Sequence, residues 1–274
     1  MDDAFTAGMA NSQFLTRRRL LRLAGTAGLA AAAVACGNRP SPSNASTDSP
    51  LPTTTTTTPP PEPPLPPAPE PVPPPTPTTH PLLCREAWGA TPPTGPGTPH
   101  VPTRMTIHHT AVNLGANSNA PARLRQHQRY HQDSHGWIDI AYHISVDRNG
   151  NLYELRSPDF VGDTATNYDP TGHFLVVLEG NFDEETVTEE QLNGAALAFA
   201  WASTVYGIPT ETLTGHRDQT SDTACPGADL YGYLSNGELK RRIDALLANG
   251  PVFLETVCGP EATQTVADIE AGLR

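Results

Sequence analysis

The chain has 274 residues, with 29 acidic against 17 basic side chains and a formal net charge of −12. That excess argues against a nucleic-acid partner, which calls for a basic face. Any anionic polymer would have to be bound by local features, against the field of the whole chain.

Residues 1–36 read as a targeting segment. Arg17, Arg18 and Arg19 precede an apolar stretch over 23–35 in the twin-arginine pattern, and that stretch is too short to span a bilayer as a mature helix. Ala33-Val34-Ala35-Cys36-Gly37 resembles a bacterial lipoprotein cleavage site. The resemblance implies acylation of Cys36, with each buried methylene adding about 0.8 kcal/mol to the anchor; ordinary cleavage with a free Cys36 is the alternative. Export by the twin-arginine route and a place in the cell envelope, lipid-anchored to the membrane, are the expectations.

Residues 37–81 read as a disordered linker rich in proline and threonine. The stretch 39–81 holds 18 of the chain's 30 prolines, and 53–58 is an unbroken run of threonine. No core forms from such a composition. Polyproline II would give it a reach on the order of 100 Å.

Residues 82–248 are long enough for one globular domain, with 249–274 as a C-terminal extension of weak pattern. Residues 105–110 read as a strand, and Pro121 opens a polar helix over about 122–134. Residues 140–146 alternate like a strand, Asn149-Gly150 supplies a hairpin turn, and 152–155 returns. The continuous apolar run 174–178 has the length of a buried central strand. Thr188-Glu-Glu-Gln191 forms a capping box, and Leu192, Ala195, Ala196, Phe199 and Val205 should face the sheet. A short strand over 210–215 feeds His216, and 239–247 is a last helix. Interleaved strands and helices predict an α/β (α+β) fold with a central mixed β-sheet flanked by helices.

The chemistry concentrates in Leu213-Thr-Gly-His-Arg-Asp-Gln-Thr-Ser-Asp-Thr-Ala-Cys225-Pro-Gly227. Imidazole and thiolate together suit a borderline-soft cation such as Zn2+. A third donor is needed, and His108, at the end of the 105–110 strand, is the candidate. His108, His216 and Cys225 would leave a fourth tetrahedral position to water, the pattern of a catalytic zinc. His109 points to the opposite face of its strand and reads as structural, as does His143, which faces away from Tyr142. Trp137 suits either a groove wall or the packing of a helix end. Asp218 suits either a loop brace or a partner for a ligand histidine. Cys84 and Cys258 remain, and in an exported protein such a pair is readily a disulfide.

Four motifs now stand in order: Ile107-His-His-Thr-Ala111, Gly136-Trp-Ile-Asp-Ile-Ala-Tyr-His143, Asp147-Arg-Asn-Gly-Asn-Leu-Tyr-Glu154 and Gly215-His-Arg-Asp218 with Thr223-Ala-Cys-Pro-Gly227. Together they resemble the family of peptidoglycan recognition proteins and type-2 N-acetylmuramoyl-L-alanine amidases. Arg85-Glu-Ala-Trp-Gly89 resembles the start of the recognition-protein domain. The likeness covers about 82–235. It implies a zinc ion in a surface groove held by His108, His216 and Cys225, hydrolysis of the lactyl–L-Ala amide of peptidoglycan and muropeptides as partners; a monomer is expected besides. Tyr142 falls on a tyrosine that contacts the reacting centre. Thr223 falls on a position held by lysine in phage amidases and by threonine in many recognition proteins.

Three departures accompany the resemblance. The gap from His216 to Cys225 is one residue longer than the commonest spacing. A catalytic glutamate of some bacterial members corresponds to Val177, with Glu179 one side-chain repeat further on. Gly162-Asp-Thr-Ala165 stands where relatives often carry a histidine.

Two rivals are weighed against the amidase. One is a muropeptide-binding module that does not cut; such proteins usually lose the cysteine ligand, and Cys225 is retained here. The other is a thiol hydrolase using Cys225 with His216, which leaves His108 unexplained. Pro226 also provides no helix N-terminus to activate the thiol.

Overall fold

The structure, a computed structural model, describes residues 76–274. The expectations for residues 1–36, and for the linker as far as residue 75, lie outside the described residues. In chain order the elements are β1 (Thr78–Leu83), β2 (Arg104–His109), α1 (Ala120–His135), β3 (Ile144–Val146), β4 (Leu152–Glu154), β5 (His173–Leu178), α2 (Glu189–Tyr206), β6 (Thr214–Gly215), α3 (His216–Gln219), α4 (Ala228–Ser235), α5 (Glu238–Asn249), β7 (Val252–Val257) and α6 (Gly259–Glu270). The strands form one sheet in the order β6-β2-β5-β3-β4-β1-β7. All pairs are parallel except the β3/β4 hairpin, so the expected mixed sheet flanked by helices is the fold.

Both faces of the sheet are covered, as a largely parallel sheet requires. On one face Met105, Ile107, Phe174, Val176 and Leu178 pack against Leu192 and Phe199 of α2 and Leu239 and Ile243 of α5. On the other, Tyr153, Leu155 and Val177 pack with Trp88, Leu124 of α1 and Val266 and Ile269 of α6. The Trp88 indole N–H donates to the Glu154 carbonyl at 2.8 Å. Helix α2 begins at the expected cap: Gln191 N–H donates to Thr188 Oγ1 at 3.1 Å, and Thr188 N–H to Gln191 Oε1 at 3.2 Å. Val205, expected inward, is 48% exposed near the end of α2.

The domain is larger at both ends than the composition suggests. Residues 78–81, assigned to the linker, form the first four of the six residues of β1, where Thr78 to Leu83 pair with all of β7. On its other side β1 meets β4 only at Leu83↔Tyr153. Pro81 therefore sits where a missing N–H costs little, as proline in a sheet must. The C-terminal 249–274 is likewise no appendage: β7 completes the sheet and α6 closes one face. Cys84 and Cys258 are disulfide-bonded, with Cα atoms 5.4 Å apart across a separation of 174 residues. Strand structure also starts later than expected in 140–146 and is shorter in 210–215, where a 3-10 turn occupies Thr210–Thr212.

Candidate metal centre

Strands β2 and β6 are parallel neighbours, and Ile107 is paired in register with Gly215. One step beyond that rung, at the carboxyl ends of both strands, come His108 and His216, with ring centroids 4.7 Å apart. Such ends are where open α/β sheets bind ligands. Alternation along β2 turns His108 to the same face as Val177, its partner on β5, and sends His109 to the other.

Cys225 arrives by the loop that follows α3. Its Sγ lies 3.6 Å from His108 Nδ1, and the His109 backbone N–H donates to the same sulfur at 3.4 Å. One donor atom each from His108, His216 and Cys225 falls within 4.8 Å of the others, so these residues could hold a metal ion. Two donors on one tetrahedral zinc, at roughly 2.0–2.1 Å for nitrogen and 2.3 Å for sulfur, stand about 3.6 Å apart. The donor chemistry agrees. Burial, above the nearby imidazoles, drives the pKa of His108 well down, and burial takes His216 down to about 4. Both rings are therefore neutral, with a lone pair to give. Burial pushes the Cys225 thiol up to about 12, so that sulfur is a poor free nucleophile and needs a cation to become thiolate. His108 Nε2 is buried and makes no hydrogen bond among the described residues.

Glycine is required at one place in this frame. At Gly227, φ is +88°, and a Cβ there would lie 2.7 Å from the Phe182 carbonyl carbon and 2.9 Å from His109 Nδ1. The loop carrying Cys225 is thus pressed against the 182 turn. His109 is part of the same seam: its Nδ1 accepts the Phe182 N–H at 3.2 Å, and burial holds its pKa near 4. Its place is structural, as its alternation on β2 predicts. His143 is too: Nδ1 accepts Leu175 N–H at 2.9 Å and Nε2 faces the Phe160 carbonyl at 3.0 Å. Asp218 braces its loop, accepting from Gly215 N–H and from the Tyr231 hydroxyl, each at 2.7 Å.

The three donors open into a groove of about 300 Å³ that also takes in Tyr142 and Thr223. The Tyr142 ring lies 5.1 Å from that of His108. Burial, then the Cys225 charge, raises the phenol far above its ordinary range, so its hydroxyl is a donor. Thr223 Oγ1 accepts the Cys225 N–H at 3.1 Å, which leaves its own proton to give. Trp137 does both things open to it: it lines the groove and stacks on His135 at the end of α1, centroids 4.3 Å apart. Val177 lies in the apolar layer. Glu179 is fully buried, accepts from Ser145 Oγ at 2.8 Å, and is raised by that burial to about 8.

Groove residues that the sequence reading passed over are His131 and His135 of α1, together with Thr166 and Asp183; Asp163 and Thr164 entered it only within the Gly162-Asp-Thr-Ala165 departure. A signal existed for the first two: His127, His131 and His135 recur every fourth residue, a single helix face. The threonines sit in an irregular loop with no periodicity to mark them.

Residues 98–228 match the family described as N-acetylmuramoyl-L-alanine amidase. Among curated relatives, peptidoglycan-recognition protein SC2 of Drosophila melanogaster is 35% identical over 127 residues, 46% of this chain and 68% of that protein. The N-acetylmuramoyl-L-alanine amidase of Homo sapiens is 35% identical over 162 residues, 57% of this chain but 27% of the human protein. Among solved structures, peptidoglycan recognition protein LE in complex with tracheal cytotoxin, a monomeric diaminopimelic acid-type peptidoglycan, superposes with a TM-score of 0.51 at 28% identity. The match covers 57% of this chain and 92% of that one.

Proposed function

The chain belongs to the N-acetylmuramoyl-L-alanine amidase family, and from that premise we propose that it is a zinc-dependent hydrolase of peptidoglycan. It cuts the amide between the lactyl group of N-acetylmuramic acid and L-alanine of the stem peptide. The observation that carries this reading is the retained sulfur donor: Cys225 Sγ stands 3.6 Å from His108 Nδ1, with His216 alongside.

Bound zinc would polarise the amide carbonyl and bring the pKa of a water near 7. The chain's own residues supply position and hydrogen bonds. His108, His216 and Cys225 would hold the ion. Tyr142 and Thr223, both on that groove, donate to the carbonyl oxygen as it gains charge. The rings of Trp137 and His135 wall the groove on the α1 side and orient the muropeptide. Muropeptide as the ligand class is supported by the complex of the LE relative with tracheal cytotoxin.

Cellular placement is part of the same proposal and rests on sequence alone. Twin-arginine export, acylation at Cys36 and a long proline-rich tether would let a monomer reach wall material some distance from the membrane.

The test is release of stem peptides from purified peptidoglycan, followed as new free N-terminal L-alanine. Chelation should abolish release, zinc should restore it, and His108→Ala should abolish it with the fold intact. Binding of muropeptide without release would make the protein a recognition module. Undiminished release by His108→Ala would remove the assigned site.

A further inference from the structure

The loop after β4 packs against His216. Thr166 Oγ1 lies 2.7 Å from His216 Nε2, and Thr164 Oγ1 lies 3.4 Å from the same nitrogen. The two hydroxyls are themselves 2.7 Å apart, and Thr166 N–H donates to Thr164 Oγ1 at 3.2 Å. The ring of Tyr168 meets the His216 ring edge-on, centroids 5.1 Å apart. Next to it, Asn167 Nδ2 donates to Asp222 Oδ2 at 3.0 Å, three residues before Cys225. One loop therefore touches both the second histidine donor and the segment that delivers the sulfur.

A metal needs one lone pair from His216, so the other ring nitrogen must carry the proton. Thr166 occupies Nε2, which leaves Nδ1 to the cation. The hydroxyl chain is satisfied when Nε2–H donates to Thr166 Oγ1 and the Thr166 hydroxyl donates to Thr164 Oγ1. The reverse direction, with the Thr166 hydroxyl donating to Nε2, would put the proton on Nδ1 and oppose metal binding. His108 has no counterpart, since its Nε2 makes no hydrogen bond among the described residues. The orienting burden falls on one of the two histidines.

We propose that Thr166, backed by Thr164, is a positioning residue of this site: its hydroxyl accepts the Nε2–H of His216 and so fixes the ring and tautomer that present Nδ1 to a divalent cation. The proposal rests on the metal reading above, deepens it, and concerns residues that no ligand motif includes. It also gives the Gly162-Asp-Thr-Ala165 departure a physical role, because the threonine in it reaches toward a ligand histidine.

The experiment uses the full chain as wild type, Thr166→Val, Thr166→Ser and Thr164→Val. Zinc affinity is measured by competition with a chromophoric chelator, and the His216 tautomer is read in the metal-free protein from long-range 1H–15N correlations. Thr166→Val, which keeps shape and loses the hydroxyl, should weaken zinc about 10–100-fold, the usual cost of removing an orienting partner, and should lower the population carrying the proton on Nε2. Thr166→Ser should restore both, and Thr164→Val should fall between. Wild-type affinity in Thr166→Val, or failure of serine to rescue, overturns the proposal. If the wild type itself takes up no zinc, the hydrolase reading fails. The tautomer measurement then still decides whether Thr166 sets His216.

Discussion

Ile107 and Gly215 form one rung of the β2/β6 ladder, and that register is what places His108 beside His216. A slip of one residue in either strand would turn its histidine to the other face of the sheet. Two of the donors are thus placed by backbone pairing between β2 and the edge strand β6, and the third is brought by a loop. Loss of a donor should therefore be local in effect.

Cys225→Ser is expected to weaken zinc by more than the roughly 10–100-fold cost of losing an orienting partner, and to abolish stem-peptide release. Thermal unfolding of the metal-free protein should change little. Chelator competition and a melting curve measure the two; tight zinc binding by the serine variant would contradict the donor assignment.

Tyr142→Phe keeps the ring against His108 and removes the hydroxyl. Loss of one donor to a developing oxyanion costs about 10²–10³ in kcat, so kcat should fall by that order with zinc affinity unchanged. A kcat within a factor of about two of wild type would make Tyr142 a packing residue.

The Cys84–Cys258 bridge closes 174 residues. The chain-entropy account gives about 5 kcal/mol for a loop this long, and native bridges are worth about 2–5 kcal/mol in practice. Cys258→Ser should lower stability to urea by that amount and loosen α6 first, seen as early proteolysis after residue 250. Zinc affinity should hold, because β1 and β7 lie at the far end of the sheet from β2. A parallel loss of zinc would show that the two ends are coupled.

Glu179 provides a pH signature. Its folded pKa is raised to about 8 by burial from an ordinary value of 4.5. Above pH 4.5 the unfolded chain ionises there while the folded chain does not, so stability is lost as pH rises and the loss levels off above about 8. The stability of Glu179→Gln relative to wild type should therefore climb between pH 4.5 and 8, then flatten. Urea titrations of the metal-free pair at several pH values read this directly, and a difference independent of pH would mean the carboxyl ionises freely in the fold.

Much of the site was legible because metal chemistry restricts residue type. His108, His216 and Cys225 stood out as donors in stretches that burial alone does not explain, and the motif order placed Tyr142 and Thr223 with them. The helix caps were legible for a similar reason, since Thr188 and Gln191 satisfy backbone groups within four residues. The misread parts have non-local causes. Pro81 belongs to β1 because β4 pairs with that strand only at Leu83, a fact of how far the neighbouring strand runs. Thr164 and Thr166 matter through His216, some fifty residues away, and nothing in a polar loop announces such a partner. Val205 is the local exception: thirteen residues past Leu192, at about 100° per residue, it lies on the far side of α2 from Leu192 and Phe199, while Tyr206 next to it still packs against the core.

Strand order also decides how this protein carries mechanical load. Any pull transmitted through the residues before Thr78 enters at β1, whose six rungs with β7 resist it in shear and whose end is riveted by the Cys84–Cys258 bond. From there to β2 is four strand spacings, about 19 Å. Tension entering there would thus be spent at one margin of the sheet while the candidate metal centre near the other keeps its shape.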